Sequence, residues 1–423
     1  MTGYRACARI AAAMSMTAEN VDVAEAQRIV SAAVVPLAAV RLPLSDALGL
    51  TLGEPVCTDL DDPPFDRALM DGYAVRSADL AAGSATLRVV GSLGAGAVAD
   101  RTLQAGEALR INTGAPVPAG ADAVVMVERS TLSDDGATVR LTDTPSPGQS
   151  ITPRATHMSA GDEVLSAGTM LGPAQVAAAA TAGAAQVVVY RRPRVAVLVT
   201  GNELVAIDTR PGPGQIRNSN GYAMAGLVRE AGCELVELGI AGDNPDLLTR
   251  KIDEGLRADV LCITGGISMG QYDLVPDVLR ACGVTFALRK IAVRPGKPTI
   301  FGRSAAGNYV FALPGNPVSC LVGFRLFVAP LLRGIQGGST APPAVVSARL
   351  TEPMRNNGGR QAYIPAWVEV SGDGTLEARP VAWHGSGDPF GMATANGLLV
   401  RDAGAEPAEP GAMVDVIPLT LLR

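Results

Sequence analysis

"VLCITGGISMGQYD", residues 260–273, passes from an unbroken apolar run into glycines, a serine and a carboxylate. A short apolar run bounded by Gly reads as a buried strand. Ligands of open α/β sheets sit at the carboxyl ends of the strands. The passage therefore predicts one wall of a binding site at the end of a core strand.

The flanking sequence predicts the rest of that sheet. "PRVAVLVTG" (193–201) and "CELVELGIAG" (233–242) read as strands, and "GYAMAGLVREAG" (221–232) and "PDLLTRKIDEGLR" (245–257) as helices. "NYVFALPGNPVSCLVGFRLFVAPLLRGI" (308–335) adds a strand, a tight loop and an amphipathic helix. Alternating strands and helices predict a parallel α/β sheet between residues 192 and 335. Upstream, Asp22 is a candidate N-cap for a helix over 23–34, and an Ala-rich helix is expected over 173–182. Between residues 73 and 148, short apolar runs spaced by Gly predict a compact β domain, with "DTPSPGQS" (143–150) as its exit. From 340 onward, short strands and Gly turns predict a small C-terminal β domain.

Composition narrows the function classes. A chain of 423 residues exceeds one ordinary core, so two to four domains are expected. Aromatics are only 4%, which leaves Ala, Val, Leu and Ile to build the interior. A net charge of −6 argues against a nucleic-acid binder, yet a few local cations can still hold a small anion. Six cysteines without a CxxC pair read as reduced thiols, as in a cytoplasmic protein. His157 and His384 are the only histidines, so a multi-His metal site is excluded. No run approaches the ~18–20 uninterrupted apolar residues of a membrane span, and residues 1–16 read as an extension.

Three loops leave the predicted strand ends: "VTGNEL" (199–204), "TGGISMGQYD" (264–273) and "LPGNPVS" (313–319). Gly after a strand is usually a turn, but three such loops on one rim can converge on one ligand. "IAVRPGKPTIFG" (291–302) adds Arg294 and Lys297, a planar fork and a point charge suited to oxyanions. It is no Walker A loop. Glu203, Asp273 and Asp243 are rim carboxylates, suited to Mg²⁺ or to proton transfer beside an anion. In the other domain, Asp71 precedes Gly72 in a turn, and Thr113 opens the rigid "TGAPVP" loop (113–118). A Rossmann dinucleotide site is disfavoured, since no G-x-G-x-x-G follows a strand and opens a helix.

"MDGYAV", "TGAPVPAGADAVVMVE", "TGNEL", "TGGISMGQYD", "RPGKP" and "LPGNPVS" together resemble, in order and spacing, the MoeA-type molybdopterin molybdotransferases, to which the C-terminal domain of gephyrin is related. The resemblance covers residues 17–423. It implies a multidomain α/β plus β fold with a split N-terminal domain (17–65 and 149–191) and an inserted β domain (66–148). An α/β molybdopterin-binding domain (192–337) and a C-terminal β-barrel (338–423) complete it. It also implies Mg²⁺-dependent insertion of molybdate into adenylylated molybdopterin with release of AMP, carried out by a cytoplasmic homodimer. A pterin-adenylating protein and molybdoenzyme acceptors would be transient partners, without nucleic acid or membrane.

On this reading Asp71, Glu203, Asp243 and Asp273 are the catalytic carboxylates, and Glu203 and Asp273 hold Mg²⁺. Lys297 neutralises phosphate, while Arg294, Ser268 and Ser319 hold molybdate. Gly265, Gly266, Pro314, Gly315 and Asn316 line the cofactor site, and Asp71 and Thr113 close it from the partner subunit. Several family positions differ: Asn202, Asn218, Asn244 and Gln271 stand where acids are usual, Gly242 replaces a charged residue, and "TPRATHM" (152–158) replaces a basic pair and two acids, with His157 at one of the acidic positions. A non-catalytic pterin-binding paralogue is therefore the alternative reading.

Overall fold

The computed structural model describes residues 17–267 and 274–420. The expectations for Ser268, Gln271 and Asp273 lie outside the described residues. The chain forms two compact units, Met1–Val40 with Tyr190–Arg423, and Arg41–Val189.

The first unit is built on a seven-stranded sheet. Its strands are β1 (Ala18–Val21), β2 (Arg194–Thr200), β3 (Glu234–Ala241), β4 (Val260–Thr264), β5 (Thr285–Ile291), β6 (Ile300–Arg303) and β7 (Tyr309–Leu313). The spatial order is β1-β5-β6-β7-β4-β2-β3. β7, β4, β2 and β3 run parallel, as expected. The sheet becomes mixed beyond them, because β6 lies antiparallel to both β5 and β7. Two reversals leave β5 parallel to the central strands, so its carboxyl end joins the same rim. All five residues of β4 and of β7 are buried, the pattern of strands covered on both faces.

Crossovers cover the two faces. α1 (Val23–Ala32) and α2 (Asn220–Glu230) pack with Phe311 and Phe324 in one core. α3 (Pro245–Gly255) and α4 (Val275–Ala281) pack with Leu261 and Ile263 in the other. Residues 17–40 thus join this unit, although the sequence reading groups 17–65 as N-terminal. β1 is a four-residue, half-exposed edge strand paired in parallel with β5. Tyr309 fixes the segment further: its hydroxyl donates to Ala33 O (3.1 Å) and accepts from Val35 N (2.8 Å).

Pro317–Ile335 is a 19-residue helical run apolar enough to cross a membrane by length and composition. It contains Arg325 and Arg333 and is 78% buried, which fits a core helix. The barrel strands are β8 (Val346–Leu350), β9 (Gln361–Val370), β10 (Leu376–Pro380), β11 (Gly397–Arg401) and β12 (Met413–Pro418). The order β9-β10-β8-β12-β11 closes through a β9–β11 pairing. Each strand of the ring thus pairs on both sides, and the start of β9 also takes Val293–Arg294 in parallel.

In the second unit, Gly72–Val75, Ala85–Leu93, Glu107–Ile111, Ala123–Met126, Ser130–Leu132 and Thr138–Leu141 form one six-stranded sheet. Apolar clusters cover both its faces. Chain entering and leaving this sheet pairs as Arg67–Ala68 with Ile151–Thr152, the mark of an insertion. Glu107, 4% exposed, is held by Arg88 and by Arg101 at 2.8 Å.

Asp259 ties the start of β4 to the chain entering β2. It accepts from both terminal nitrogens of Arg191 (2.8 and 2.6 Å) and from Arg194 N (2.8 Å). Burial alone would raise its pKa, but these donors outweigh it and hold the carboxyl below its usual range. The carboxylate therefore stabilises the fold fully above about pH 4, and the contribution fades as pH falls through the depressed value. Asp259→Asn is expected to lower unfolding free energy by ~2 kcal/mol at neutral pH. In denaturant titrations the gap from the unmodified chain should narrow on acidification.

Candidate functional site

The chain order of the central strands creates the site. From β2 the chain crosses to β3 on one side, then over the opposite face to β4 on the other. The β2/β4 boundary is a topological switch point, where loops diverge and leave a crevice at the carboxyl ends. A cavity of about 720 Å³ lies there.

Its walls are the rim loops. Gly201 and Glu203 follow β2, Asp243 follows β3, and Gly265 and Gly266 follow β4. Arg294 and Lys297 follow β5, and Pro314, Gly315, Asn316 and Ser319 follow β7. These sequence-predicted residues share one cavity. Among its described lining residues, three are cationic (Arg294, Lys297, Arg360) and two are carboxylates (Glu203, Asp243). An anion is therefore favoured despite the acidic chain.

Close backbone packing forms the floor. Gly265 has φ +94°, and a Cβ there would lie 2.4 Å from the Thr200 carbonyl oxygen. Gly266 has φ +65°, and its Cβ would meet Val275 Cγ2 at 2.6 Å. Neither position accepts a side chain without moving the floor. Gly265 N donates to Leu313 O (3.1 Å), joining the β4 and β7 loops. In the cation loop, Thr299 Oγ1 donates to Gly296 O (2.8 Å) and Ile291 N to Lys297 O (2.9 Å), while the side chains of Arg294 and Lys297 stay exposed.

The barrel supplies residues that sequence reasoning missed: Arg360, Trp383 and Ser386. Arg360 Nη1 donates to Val293 O (3.3 Å). Asn316 Nδ2 donates to Ser386 Oγ (2.8 Å), and Val318 N to Ser386 O (3.1 Å), which ties a barrel loop to the rim. The only sequence signal is local: Arg360 follows Gly358-Gly359, and Ser386 lies between Gly385 and Gly387. A second cavity of about 540 Å³ shares Thr200, Glu203, Gly315 and Asn316 with the first. Asn220 lies in its wall, 7% exposed; its Nδ2 donates to Thr264 Oγ1 (2.9 Å) and Gly315 O (2.7 Å), while its Oδ1 meets no donor.

Asp71 and Thr113 belong to the Arg41–Val189 unit. Asp71 Oδ1 accepts from Thr113 N (2.7 Å) and Thr113 Oγ1 (3.0 Å). These bonds, the backbone one foremost, hold the Asp71 carboxyl below its usual range. His157 Nδ1 lies 3.0 Å from Asp62 Oδ2, in the same unit. Among the described residues no group of three or more His, Cys, Asp or Glu is placed to hold a metal.

Three family models match in succession: the MoeA N-terminal region (domain I and II) over residues 21–183, a probable molybdopterin binding domain over 196–334, and the MoeA C-terminal region (domain IV) over 347–419. A molybdopterin molybdenumtransferase of Nostoc sp. is 38% identical over 385 residues, 89% of this chain and 87% of the relative. The chain belongs to the MoeA family. Its likeness to the molybdopterin molybdenumtransferase of Staphylococcus aureus is 33% over 384 residues, 90% of this chain and 91% of that one. Among solved structures, a MoeA protein of molybdopterin biosynthesis from Pyrococcus horikoshii matches with a TM-score of 0.80 at 32% identity, covering 95% of this chain and all of the other. The cavity of this MoeA-family chain lies in the segment matched by the molybdopterin-binding model, with Arg360, Trp383, Gly385 and Ser386 added from the C-terminal region.

Gly265→Ala is expected to fold but to displace the β4 loop, weakening oxyanion binding roughly tenfold or more. Titration calorimetry with molybdate, beside a melting curve, checks both halves.

Proposed function

We propose that this chain is a molybdopterin molybdenumtransferase acting in molybdenum cofactor biosynthesis. It would insert molybdate into adenylylated molybdopterin and release AMP. The observation that carries this reading is the switch-point cavity of a MoeA-family chain, lined among the described residues by three cations and two carboxylates.

The reaction needs a phosphoanhydride and a small oxyanion held together while one is cleaved and the other exchanges oxygen for sulfur. Such chemistry rests on positioning and charge neutralisation. Lys297 neutralises phosphate as a point charge, while Arg294 and Arg360 present planar forks to a tetrahedral oxyanion. Ser268 and Ser319 would be further donors to it. The backbone of Gly265, Gly266, Pro314, Gly315 and Asn316 approaches the ligand where side chains would obstruct it. The neighbouring 540 Å³ cavity suits a bipartite ligand, one ring system on either side of a pyrophosphate.

Glu203 and Asp243 fit Mg²⁺ in donor type: hard oxygens on one wall, too few for a complete site alone, as expected when substrate phosphates fill the remaining positions. Glu203 and Asp273 would hold the ion, and Asp243 would serve as a further carboxylate. Bound Mg²⁺ supplies charge neutralisation to the phosphate oxygens. Asp71 and Thr113, as one hydrogen-bonded pair, would close the site from a second copy of the chain. We take the working division as 17–65 with 149–191, 66–148, 192–337 and 338–423, with 17–40 packed on the α/β sheet, in a cytoplasmic homodimer. A pterin-adenylating protein and molybdoenzymes would be its transient partners.

Reconstitution tests the reading. Purified chain, adenylylated molybdopterin, molybdate and Mg²⁺ should yield AMP and cofactor together, both lost on chelation. Pterin uptake without AMP would instead identify a carrier. Lys297→Ala should lower kcat/KM roughly 10²-fold, the scale of one lost oxyanion partner.

A further inference from the structure

Three asparagines at the rim accept backbone hydrogen bonds that a carboxylate would accept equally well. Asn202 Oδ1 accepts from Asp243 N (2.9 Å), and Asn218 Oδ1 from Gly221 N (2.9 Å). Asn244 Oδ1 accepts from Leu247 N (2.9 Å) and caps α3. Asn and Asp serve comparably as N-caps, and an acid there would also gain from the helix dipole. An amide at all three places supplies the accepting oxygen and withholds the charge.

Asn202 matters most for the cavity. It lies between Gly201 and Glu203, and its hydrogen bond holds the backbone of Asp243, so it braces both carboxylates of the wall. Gly242 makes room for the brace: a Cβ there would lie 2.7 Å from Asn202 Oδ1. Resting on the oxyanion reading above, we propose that Asn202 is a positioning residue that fixes Asp243 without adding a further negative charge. It thereby sets the cavity's preference for a doubly charged oxyanion over a singly charged one. With Asp at 202, a further carboxylate would stand between Gly201 and Glu203 and against the backbone of Asp243, weakening the attraction of the three cations for an anion.

The test uses Asn202→Asp in the full chain, which keeps the acceptor and adds only charge. Binding of molybdate, a tetrahedral dianion, and of perrhenate, a tetrahedral monoanion, is followed by calorimetry. Coulomb energy scales with ligand charge, so the logarithmic loss for molybdate should be about twice that for perrhenate. We expect the molybdate Kd to rise roughly three- to tenfold at low ionic strength, with the difference shrinking toward 1 M salt. Melting temperature should be unchanged. Asn202→Ala, which removes the brace and adds no charge, should weaken the two anions by equal factors.

Equal losses of both anions in Asn202→Asp, or unchanged molybdate affinity at low salt, would overturn the proposal. If the unmodified chain binds neither anion, the oxyanion reading fails first and this inference falls with it.

Discussion

The approach of Gly265 to Thr200 is the constraint on which the site depends. β4 is buried along its whole length, pairing with β2 on one side and β7 on the other. Such a strand cannot slip without losing two ladders and two packed faces at once. Its carboxyl end is therefore a fixed point, and the absent Cβ at 265 lets the neighbouring loop lie directly on it. The β7 loop is then held by Gly265 N and Asn220 Nδ2, and the barrel loop by Asn316 and Val318. Each layer takes its position from the one beneath.

The central strands were legible because both faces are buried, so apolar residues run without interruption in "VAVLV" and "VLCI". The rim loops were legible because glycine and proline cluster where the backbone must turn tightly beside a ligand. β1 was not: "AENV" (18–21) is polar, four residues long, and a strand only because β5 offers it an edge. The β5–β6 hairpin hid the change of direction: its connecting loop was legible as the source of the site's cations, but nothing in it marks the antiparallel return of β6. Arg360, Trp383 and Ser386 were invisible for a similar reason. Nothing within their own neighbourhoods says that the barrel leans on the rim, and the bonds that say so span 67 and 70 residues.

The rim asparagines recast the departures from the family pattern. Read along the chain, Asn202, Asn218 and Asn244 are lost acids; in the fold, each retains the oxygen that a backbone N–H requires. Architecture and charge can thus vary separately at these positions. The wall keeps its shape while its electrostatics shift toward the cations. Glu107 illustrates the opposite solution in the other unit, where a buried carboxylate keeps its charge and two arginines gather round it.

The cation loop has an unusual anchorage. β5 ends at Ile291 in the α/β sheet, and Val293–Arg294 pairs in parallel with Gln361–Ala362 of the barrel sheet. Within two residues the backbone changes allegiance from one sheet to the other, and Arg360 fastens the junction through Val293 O. The segments matched as separate regions are therefore not interchangeable modules. Grafting the α/β sheet onto a different partner would leave its own arginine and lysine strung from a missing post. Evolution could exchange the barrel only for another that offered the same parallel edge.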